Sequence, residues 1–449
     1  MKKIFINKIG RREFLKTSLS GLALTTLPGI SFAQSNPDVV VIGAGTAGLA
    51  ATAELMKKGK SVVCIEAMSR TGGRCHTNTS IFGVPYDLGG HWVEGSDNSP
   101  FSKYMRKNKE KFKIYPNSYS NTHVFDGISQ DSGDLWDIYR KIKDNLYNQK
   151  KDVSGWSQVS KKLKTKSWFD TAHHVFSTSP GRDLEDYSCK DDYYWKGPGG
   201  KEFCKQGYGA LVADYRKEVA VKLKTAAKEI IWDKKGVKVV TNDGTISAKA
   251  CIVTVSTGVL NAGTIKFTPD LPDYKYDAFA GITMGTYNHI TFLFDKKFLF
   301  QLGIKYPDCY FFHKIQSNGA ASPKGASGLF NITGSGLCYL DTVGKFAEEL
   351  EAEGSKAQID WALNILKKSY GSKVGDNVIK AHATAWKKNP FTVGSYSGAI
   401  PGKAHLRKKL RSPVGKIFFA GEACADAHAT VYGANWSGVR VGKKVAKKV

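Results

Sequence analysis

The stretch 38-DVVVIGAGTAGLAATAELMKKGKSVVCIEA-67 decides the fold of this chain of 449 residues. Its first residues, DVVVI (38–42), have the apolar pattern of a strand that is buried on both faces of a parallel sheet. A G-x-G-x-x-G motif follows. Gly43 permits a tight turn, Gly45 lets the backbone approach a pyrophosphate, and Gly48 lets the next helix pack closely on the strand. The stretch therefore predicts a strand, a glycine turn, a helix and a second strand, which together form a Rossmann-like unit.

An acidic residue ends the predicted second strand. Glu66 follows the last glycine of the motif by 18 residues, where a carboxylate can bond the hydroxyls of a ribose. The helix N-terminus offers free N–H groups and a partial positive charge to phosphates. The sequence therefore predicts a dinucleotide site, to which we assign Gly43, Ala44, Gly45, Ala47, Gly48, Glu66 and Ala67.

The residues after Glu66 indicate which dinucleotide binds. The segment AMSRTGGRCHT (67–77) places a second glycine pair before Arg74, and YDLGGHWVEG (86–95) adds a third pair. In a nicotinamide enzyme the second strand usually leads on to further strand–helix units. Glycine pairs beside an arginine suit a long cofactor that lies along the protein, with its diphosphate met by Arg74. The sequence therefore favours FAD, with Gly73 and Arg74 among its ligands.

Three later blocks carry a family resemblance: CIVTVSTGVLNAGTIKFTPDLP (251–272), WKKNPFTVGSYSG (386–398) and VGKIFFAGEACADAHATVYGANWSGVRVGKKVA (414–446). With the glycine motifs, they make the chain resemble the flavin-containing amine oxidases, which include monoamine, polyamine and L-amino-acid oxidases and histone lysine demethylases. The resemblance spans most of the chain. It implies that FAD is also held by Gly89, Gly90, His91, Trp92, Ala227, Gly421, Glu422, Thr430 and Val431.

The resemblance also implies a reaction. A deprotonated amine gives a hydride equivalent from its α-carbon to the flavin, and water hydrolyses the resulting imine. Oxygen, which yields hydrogen peroxide, or another acceptor then takes the electrons. We expect the flavin to carry the chemistry, while the protein positions and desolvates the substrate.

We predict an α/β (α+β) fold with two domains. The Rossmann-like FAD-binding domain is discontinuous and comprises residues 37–105, 204–272 and 380–449. Residues 106–203 and 273–379 form a substrate-binding domain, in which an antiparallel sheet is flanked by helices. Alternation and aromatic content predict sheet strands within 284–298 and 309–314. Apolar spacing predicts helices over 345–371.

Several positions depart from the monoamine oxidase pattern. Where those enzymes carry the cysteine that bonds the flavin, this chain has Ser395, so we expect noncovalent FAD. Tyr396 matches one wall of the aromatic cage that holds the amine, and Trp386 matches a tryptophan near the ring. Thr430 stands where the second cage tyrosine would be, as in the demethylases and some polyamine oxidases. A half-open cage suits a long or bulky amine.

The segment MGTYNHITFLFDKKF (284–298) holds a larger departure. The family usually has a lysine here, bonded to the flavin through a water, and this chain has His289. A histidine could hold that water and accept a proton from the substrate ammonium. We therefore expect His289 to be catalytic. A histidine that is simply buried in the core is the alternative.

The substrate class is indicated by HWVEGSDNSPF (91–101), which resembles plant polyamine oxidases. Glu94 matches their tunnel glutamate, and Asp97 and the acidic stretch 183–195 could reinforce it; a surface glutamate is the alternative. An extended amine is therefore the preferred substrate. An L-amino-acid or aromatic-monoamine oxidase stays open, with Arg182 or Arg407 as possible carboxylate ligands. A basic flavoprotein without turnover, which binds surfaces, is the alternative from another class.

The N-terminus predicts export. Arg11 and Arg12 precede a short apolar run that ends in Ser31-Phe32-Ala33, which is typical of a twin-arginine signal peptide over residues 1–33. The run is too short and too broken to span a bilayer. That route carries folded proteins, as a flavoprotein enclosing its cofactor requires. We therefore expect the twin-arginine export machinery as a partner and a periplasmic or secreted location.

Charge and cysteine content add weaker constraints. The net charge of +26 comes from scattered lysines without a recognition module, so we expect solvated faces and no nucleic-acid partner. The eight cysteines form neither a CxxC pair nor a metal-ligand cluster, so no metal is expected. Export would permit a disulfide between Cys189 and Cys204, but the spacing leaves that open. The oligomeric state also stays open.

Overall fold

A computed structural model describes residues 36–95, 99–117, 122–125, 133–304, 309–316 and 319–449. The predicted signal peptide, residues 1–33, lies outside these ranges, and so does Asp97. Within the described ranges, no helix combines the length and apolar character that a membrane crossing requires.

The glycine motif follows the carboxyl end of the central strand of a five-stranded parallel sheet. The strand Val39–Ile42 is fully buried and pairs with Val62–Ile65 on one side and Ala250–Val253 on the other. The spatial order of the strands is Ile417–Phe419, Ala250–Val253, Val39–Ile42, Val62–Ile65 and Val221–Lys222. The helices Thr46–Lys57 and Val431–Ala446 pack closely because Gly438 has no side chain. A Cβ atom at this position would lie only 2.1 Å from the carbonyl oxygen of Ala47.

A second, mainly antiparallel sheet forms the other half of the architecture. Its strands are, in spatial order, Val378–Ala383, Tyr287–Phe294, Leu337–Val343, Ser327–Phe330, Cys309–His313 and Thr122–Phe125. The last pair alone is parallel. One buried core joins this sheet to the helices Gly344–Glu353 and Ser355–Tyr370. The predicted mixed α/β class, with a Rossmann-like unit and an antiparallel sheet flanked by helices, is confirmed.

Smaller strands and helices complete the described fold. The strands pair as Trp92–Glu94, Lys201–Cys204 and Ile114–Pro116; Gly244–Ala248, Val237–Thr241, Ala227–Trp232 and Lys266–Thr268; Ile282–Met284 and Ser397–Ala399; and Thr77–Asn78 and Tyr86–Asp87. Further α-helices are Pro100–Lys107, Leu135–Tyr147, Gly155–Gln158, Lys161–Lys164, Phe169–Ser177, Cys189–Tyr193, Tyr208–Tyr215, Thr257–Asn261, Asp273–Gly281, Lys296–Gln301 and Leu406–Leu410. Short 3-10 turns are Ile332–Gly334, Ser372–Asn377 and Glu422–Cys424.

The predicted domain boundaries stay a prediction. The parallel-sheet strands fall in 37–105, 204–272 and 380–449, while the strand Val378–Ala383, which belongs to the antiparallel sheet, crosses residue 380. The cysteines of the described chain are buried free thiols. Cys189 and Cys204 lie in different hydrophobic cores, so the disulfide that the spacing left open does not form.

Candidate active site

The glycine turn has the shape that a pyrophosphate site needs. Gly43 has a φ of +98°, a conformation that favours glycine. A Cβ atom on Gly48 would lie 1.8 Å from the carbonyl oxygen of Gly43, so the helix can approach the turn only without a side chain there. At Gly45 a Cβ atom would meet nothing within 4 Å, and this glycine lines a cavity. The turn therefore leaves backbone open to a ligand where the motif predicts phosphate.

Glu66 fixes this turn to the second strand. Its Oε2 atom accepts a hydrogen bond from the N–H of Ala44 at 2.7 Å, and its Oε1 atom accepts one from Met68 at 2.9 Å. The residue is buried and lines the same cavity. A carboxylate oxygen has more than one lone pair, so Glu66 can hold the turn and still accept ribose hydroxyls.

The cavity has a volume of about 720 Å³, within the range of ligand pockets. Its lining includes most of the predicted cofactor residues: Gly43, Gly45, Ala47, Glu66, Ala67, Gly73, Arg74, Gly89, Gly90, His91, Trp92, Ala227, Gly421, Glu422, Thr430 and Val431. Ala44 and Gly48 are not among the described lining residues but support the turn: Ala44 donates its N–H to Glu66, and Gly48 packs against the Gly43 carbonyl. The open glycine turn, the buried Glu66 carboxylate on the cavity wall and the extent of the lining fit a long dinucleotide such as FAD.

An ion pair crosses the wall where we expected the diphosphate and ring contacts. The Arg74 guanidinium bonds Glu422 Oε1 at 2.9 Å and also donates to the carbonyl of Ser395 at 2.7 Å. Burial opposes ionisation of Glu422, but the Arg74 charge and the Ser397 hydroxyl hold the pKa of Glu422 below its ordinary value. Glu422 therefore stays ionised and orients Arg74.

The final helix points its N-terminus at the cavity. Thr430 is the N-cap, and its hydroxyl accepts the N–H of Gly433 at 2.8 Å while donating to the carbonyl of Ala427 at 2.7 Å. The Thr430 hydroxyl therefore caps the helix, and its second lone pair can still accept a hydrogen bond from a ligand in the cavity. The helix dipole places partial positive charge where Thr430, Val431 and Ala434 line the cavity.

Two aromatic residues lie on the wall as the sequence predicts. Tyr396 donates its hydroxyl to the carbonyl of Thr178 at 2.6 Å, and burial raises the pKa of this phenol. Its ring packs against Gly181, where a Cβ atom would lie 2.6 Å away. Trp386 is buried and packs over Gly89. Both side chains are held firmly, so they can form a fixed apolar face.

Glu94 is a cavity residue rather than a surface one. Burial raises the pKa of its carboxyl to about 7, and Oε2 has no hydrogen-bond partner among the described residues. Lys201 stands opposite on the paired strand, but its ammonium lies over the Trp92 ring, 4.3 Å from the centroid. Glu94 therefore offers an acceptor oxygen to the cavity.

The acidic stretch 183–195 does not act as one acidic surface. Asp191 forms a buried ion pair with Arg407, whose Nε lies 2.7 Å from Oδ1, and Asp183 accepts the N–H of Lys345. Asp191 and Asp192 both line the cavity, and burial raises the pKa of Asp192 to about 6. Only part of the expected reinforcement is therefore placed at the site.

The two arginines considered for a substrate carboxylate differ in their surroundings. Arg407 is paired with Asp191 and also donates to the carbonyl of Ala423 at 2.8 Å. Arg182 lines the cavity and donates to the carbonyl of Thr283 at 3.0 Å, while its Nε has no hydrogen-bond partner among the described residues. The structure therefore disfavours Arg407 as a carboxylate ligand and leaves Arg182 open.

His289 is not placed as expected. It is 1% exposed and is absent from the described residues that line the cavity. Its Nδ1 lies 2.7 Å from Asp341 Oδ1, directly across the sheet, and its Nε2 lies 3.3 Å from the carbonyl oxygen of Gly89. Asp341 and the Gly89 carbonyl both present acceptor oxygens to the ring, and a neutral imidazole can donate to one of them. Since the ring is not among the described residues that line the cavity, the structure does not place His289 where it could hold a water there. The ring that does reach the wall is His91, which the family resemblance assigned to FAD binding.

Comparison with known proteins agrees with this geometry. The model of the family "Flavin containing amine oxidoreductase" matches residues 188–446, and that of an NAD(P)-binding Rossmann-like domain matches residues 41–107. Polyamine oxidase 4 of Oryza sativa subsp. japonica is 28% identical over 97% of this chain and 93% of its own. Lysine-specific histone demethylase 1 homolog 3 of Arabidopsis thaliana is 25% identical over 91% of this chain but only 30% of its own.

Solved structures share the fold. Cyclohexylamine oxidase from Brevibacterium oxydans IH-35A superposes with a TM-score of 0.73 at 18% identity, covering 92% of this chain and 99% of its own. Putrescine oxidase bound to putrescine gives a TM-score of 0.71 at 18% identity, covering 91% and 98%. The chain therefore belongs to the flavin-containing amine oxidoreductase family and is an FAD-dependent enzyme that oxidises an amine C–N bond.

Proposed function

We propose that the substrate is an extended amine with more than one positive charge, of the polyamine class. The observation that carries this proposal is the buried Oε2 of Glu94, which has no hydrogen-bond partner among the described residues and lies on the same cavity wall as Tyr396 and Trp386. A carboxylate in a desolvated site binds a cation more strongly than one in water. An amine held at the aromatic face can thus have a second charge held elsewhere on the wall.

The wall residues divide the work of binding. Tyr396 and Trp386 exclude water and present ring faces to the reacting amine, and ring faces also attract cations. Glu94 and Asp192 supply carboxyl groups on the same cavity wall. When bound, FAD supplies the acceptor for the two electrons of the C–H bond beside the nitrogen. The protein itself binds and orients the substrate and excludes water from it.

The relatives support this class over the alternatives. Proteins named polyamine oxidases match nearly the whole chain, and a putrescine oxidase has the same fold. An L-amino acid would need a cation for its carboxylate, and Arg407 is already paired with Asp191. Arg182 on the cavity wall has an Nε without a hydrogen-bond partner among the described residues, so L-amino acids stay in the substrate panel. The noncovalent mode of FAD binding, with Ser395 beside Arg74, belongs to the same proposal.

Turnover of a substrate panel tests the proposal. Spermidine, putrescine, tyramine and several L-amino acids would be compared by anaerobic flavin bleaching and by peroxide release in air, since we propose oxygen as the electron acceptor. Spermidine or putrescine should give the highest kcat/KM. Glu94→Gln should raise KM for the favoured diamine about tenfold and leave tyramine unchanged, because it removes uniform binding energy.

A matched variant makes the test specific. Glu185→Gln removes an exposed carboxylate paired with Lys345. It should change neither the KM for the favoured diamine nor the KM for tyramine. Preference for tyramine or an amino acid, or an unchanged diamine KM in Glu94→Gln, would contradict the assignment of substrate class.

We also propose that the protein is exported folded to the periplasm or beyond. The support is the Arg11-Arg12 pair and the small-residue ending at Ala33. A double Arg11→Lys, Arg12→Lys variant should accumulate as yellow protein in the cytoplasm, measured by fractionation and flavin absorbance. Unchanged extracytoplasmic yield would contradict the route.

A further inference from the structure

The last helix gathers basic charge that the sequence leaves scattered. One side of Val431–Ala446 packs on the first helix, where a Cβ atom on Gly442 would lie 2.9 Å from the carbonyl oxygen of Ala51. Helical residues three, four or seven positions apart share one face. On the side away from Gly442, that spacing aligns one aromatic and four basic residues, which we call the basic stripe: Trp436, Arg440, Lys443, Lys444 and Lys447.

The basic stripe faces solvent. Trp436 is 43% exposed, and the three lysines are exposed as well. The Arg440 guanidinium lies over the Trp436 ring, with its carbon 5.4 Å from the centroid, and donates to the carbonyl of Cys424 at 3.1 Å. These contacts hold a cation beside the indole. An indole joins a large apolar ring to one polar N–H, so it suits the boundary between lipid and water.

Acidic residues offset little of this charge. Residues 431–449 contain neither aspartate nor glutamate. Asp426 lies near Arg440 but is paired with Arg411 at 2.7 Å. Glu54 is half-buried on the packed side of the helix. The basic stripe therefore presents a net positive charge to solvent.

The end of the first helix lies next to the end of the basic stripe. Lys60 donates to the main-chain oxygen of Val449 at 2.5 Å, which brings these two parts of the chain together. Met56, Lys57 and Lys58 are exposed there, and Met56 is 45% exposed. The neighbouring surface thus adds two more cations and a second large apolar side chain.

We propose that the basic stripe docks the enzyme on an anionic phospholipid surface. The lysines lie at the phosphates of the headgroups, and the Trp436 ring enters the headgroup layer. Each basic residue near an anionic bilayer strengthens binding about fivefold. The exposed Trp436 and Met56 favour a lipid surface over a nucleic acid, because a bilayer takes up apolar side chains that a phosphate backbone does not.

The attachment is peripheral and reversible. No helix within the described ranges is built to cross a membrane, so the contact rests on charge and on shallow insertion. Salt therefore weakens it. The inference does not depend on which amine is oxidised or on the route of export.

Sedimentation with vesicles tests the proposal on the full-length holoenzyme. The enzyme should bind vesicles that contain about one-third phosphatidylglycerol, and it should not bind phosphatidylcholine alone. A triple variant, Lys443→Gln, Lys444→Gln and Lys447→Gln, should lower the partition constant about 100-fold. Absence of wild-type binding, or equal binding to both kinds of vesicle, would overturn the proposal.

A matched variant separates the basic stripe from net charge. Lys161→Gln, Lys162→Gln and Lys166→Gln remove the same charge from exposed positions elsewhere and should change the partition constant less than threefold. Equal losses in the two triple variants would show that net charge alone is sensed, against the proposal. Flavin content and kcat without vesicles should equal wild type in both variants, because none of these lysines lines the cavity.

Two further measurements test the kind of surface. Trp436→Ala should lower the partition constant about fivefold, because part of an indole no longer leaves water. An unchanged constant would refute insertion of the ring. Short duplex DNA at the same salt concentration is the competing partner, and tighter stripe-dependent binding to DNA than to vesicles would replace the lipid surface with a nucleic acid.

Discussion

Oε1 of Glu422 lies 2.9 Å from Nη1 of Arg74, and this pair joins segments 348 residues apart in the chain. The guanidinium is thereby turned along the wall where FAD binds. The pair links the early glycine segments to the closing part of the chain, and it makes cofactor affinity sensitive to a residue near the C-terminus.

Glu422→Gln should weaken FAD binding about 10- to 100-fold, because a charged hydrogen bond contributes about 1.5–3 kcal/mol. Quenching of flavin fluorescence on titration into apoprotein measures the Kd. Glu349→Gln, an exposed carboxylate 3.7 Å from Lys324, is the control. Equal affinities in both variants would contradict the role given to the pair.

Two alanine substitutions in the glycine turn should have different effects, one on stability and the other on FAD binding. Gly48→Ala forces a Cβ atom against the Gly43 carbonyl, so it should lower the free energy of unfolding by about 1–3 kcal/mol or more. Gly45→Ala meets open space and should leave apoprotein stability unchanged while weakening FAD binding. Thermal melts with and without FAD separate the two effects. Similar melts for both apoproteins would show that the turn does not pack as described.

The Asp191–Arg407 pair predicts acid sensitivity. Burial opposes ionisation, but Arg407 holds the pKa of Asp191 below its ordinary value. Its stabilising contribution is therefore present above about pH 4 and is lost as the pH falls through the folded-state pKa.

Asp191→Asn should accordingly lower the free energy of unfolding by about 3–5 kcal/mol at neutral pH, because the Arg407 charge stays buried without its partner. It should also flatten the acid side of the stability profile, measured by denaturant unfolding between pH 3 and 7. Asp137→Asn, at an exposed pair with Arg140, should do neither. A profile parallel to wild type would refute this.

The raised pKa of Glu94, about 7, predicts a pH-dependent substrate preference. Below that pH the carboxyl is protonated and loses its attraction for a second cation. KM for putrescine should therefore fall between pH 6 and pH 8 relative to KM for a monoamine of similar length. In Glu94→Gln the ratio should stay flat, and a persistent slope would point to another group.

FAD should leave the protein on acid precipitation. Ser395 has a hydroxyl, which donates to the carbonyl of Gly285 at 2.9 Å, where a covalent link would need a thiol. Yellow supernatant and a colourless pellet are expected. A pellet that stays yellow would show a bond formed elsewhere.

The sequence predicted best what depends on local chain geometry. The glycine turn, the flanking strand and helix and the apolar spacing of 345–371 require only near neighbours, and the corresponding elements are present. Contacts between distant segments could not be predicted. Asp191 meets Arg407 across 216 residues, so an apparently acidic stretch is partly neutralised.

The same limit explains the histidines. A single sequence position placed His289 at the site, but its partner Asp341 comes from the next strand of the antiparallel sheet. The ring of His289 packs against the carbonyl of Gly89, which lies 200 residues earlier in the chain. His91, two residues after Gly89, lines the cavity instead. No signal in the sequence separates a histidine that faces the cavity, such as His91, from one that is bonded to a neighbouring strand, such as His289, because the difference depends on tertiary packing.

The close seating of Gly438 on Ala47 has a consequence for biosynthesis. The wall around the glycine turn is complete only when the last helix, which starts at Val431, has left the ribosome. A nascent chain that already contains the nucleotide fingerprint therefore still lacks one side of its binding pocket. FAD can therefore be fully enclosed only after this helix has been synthesised, and chains truncated before Val431 should be purified without bound flavin.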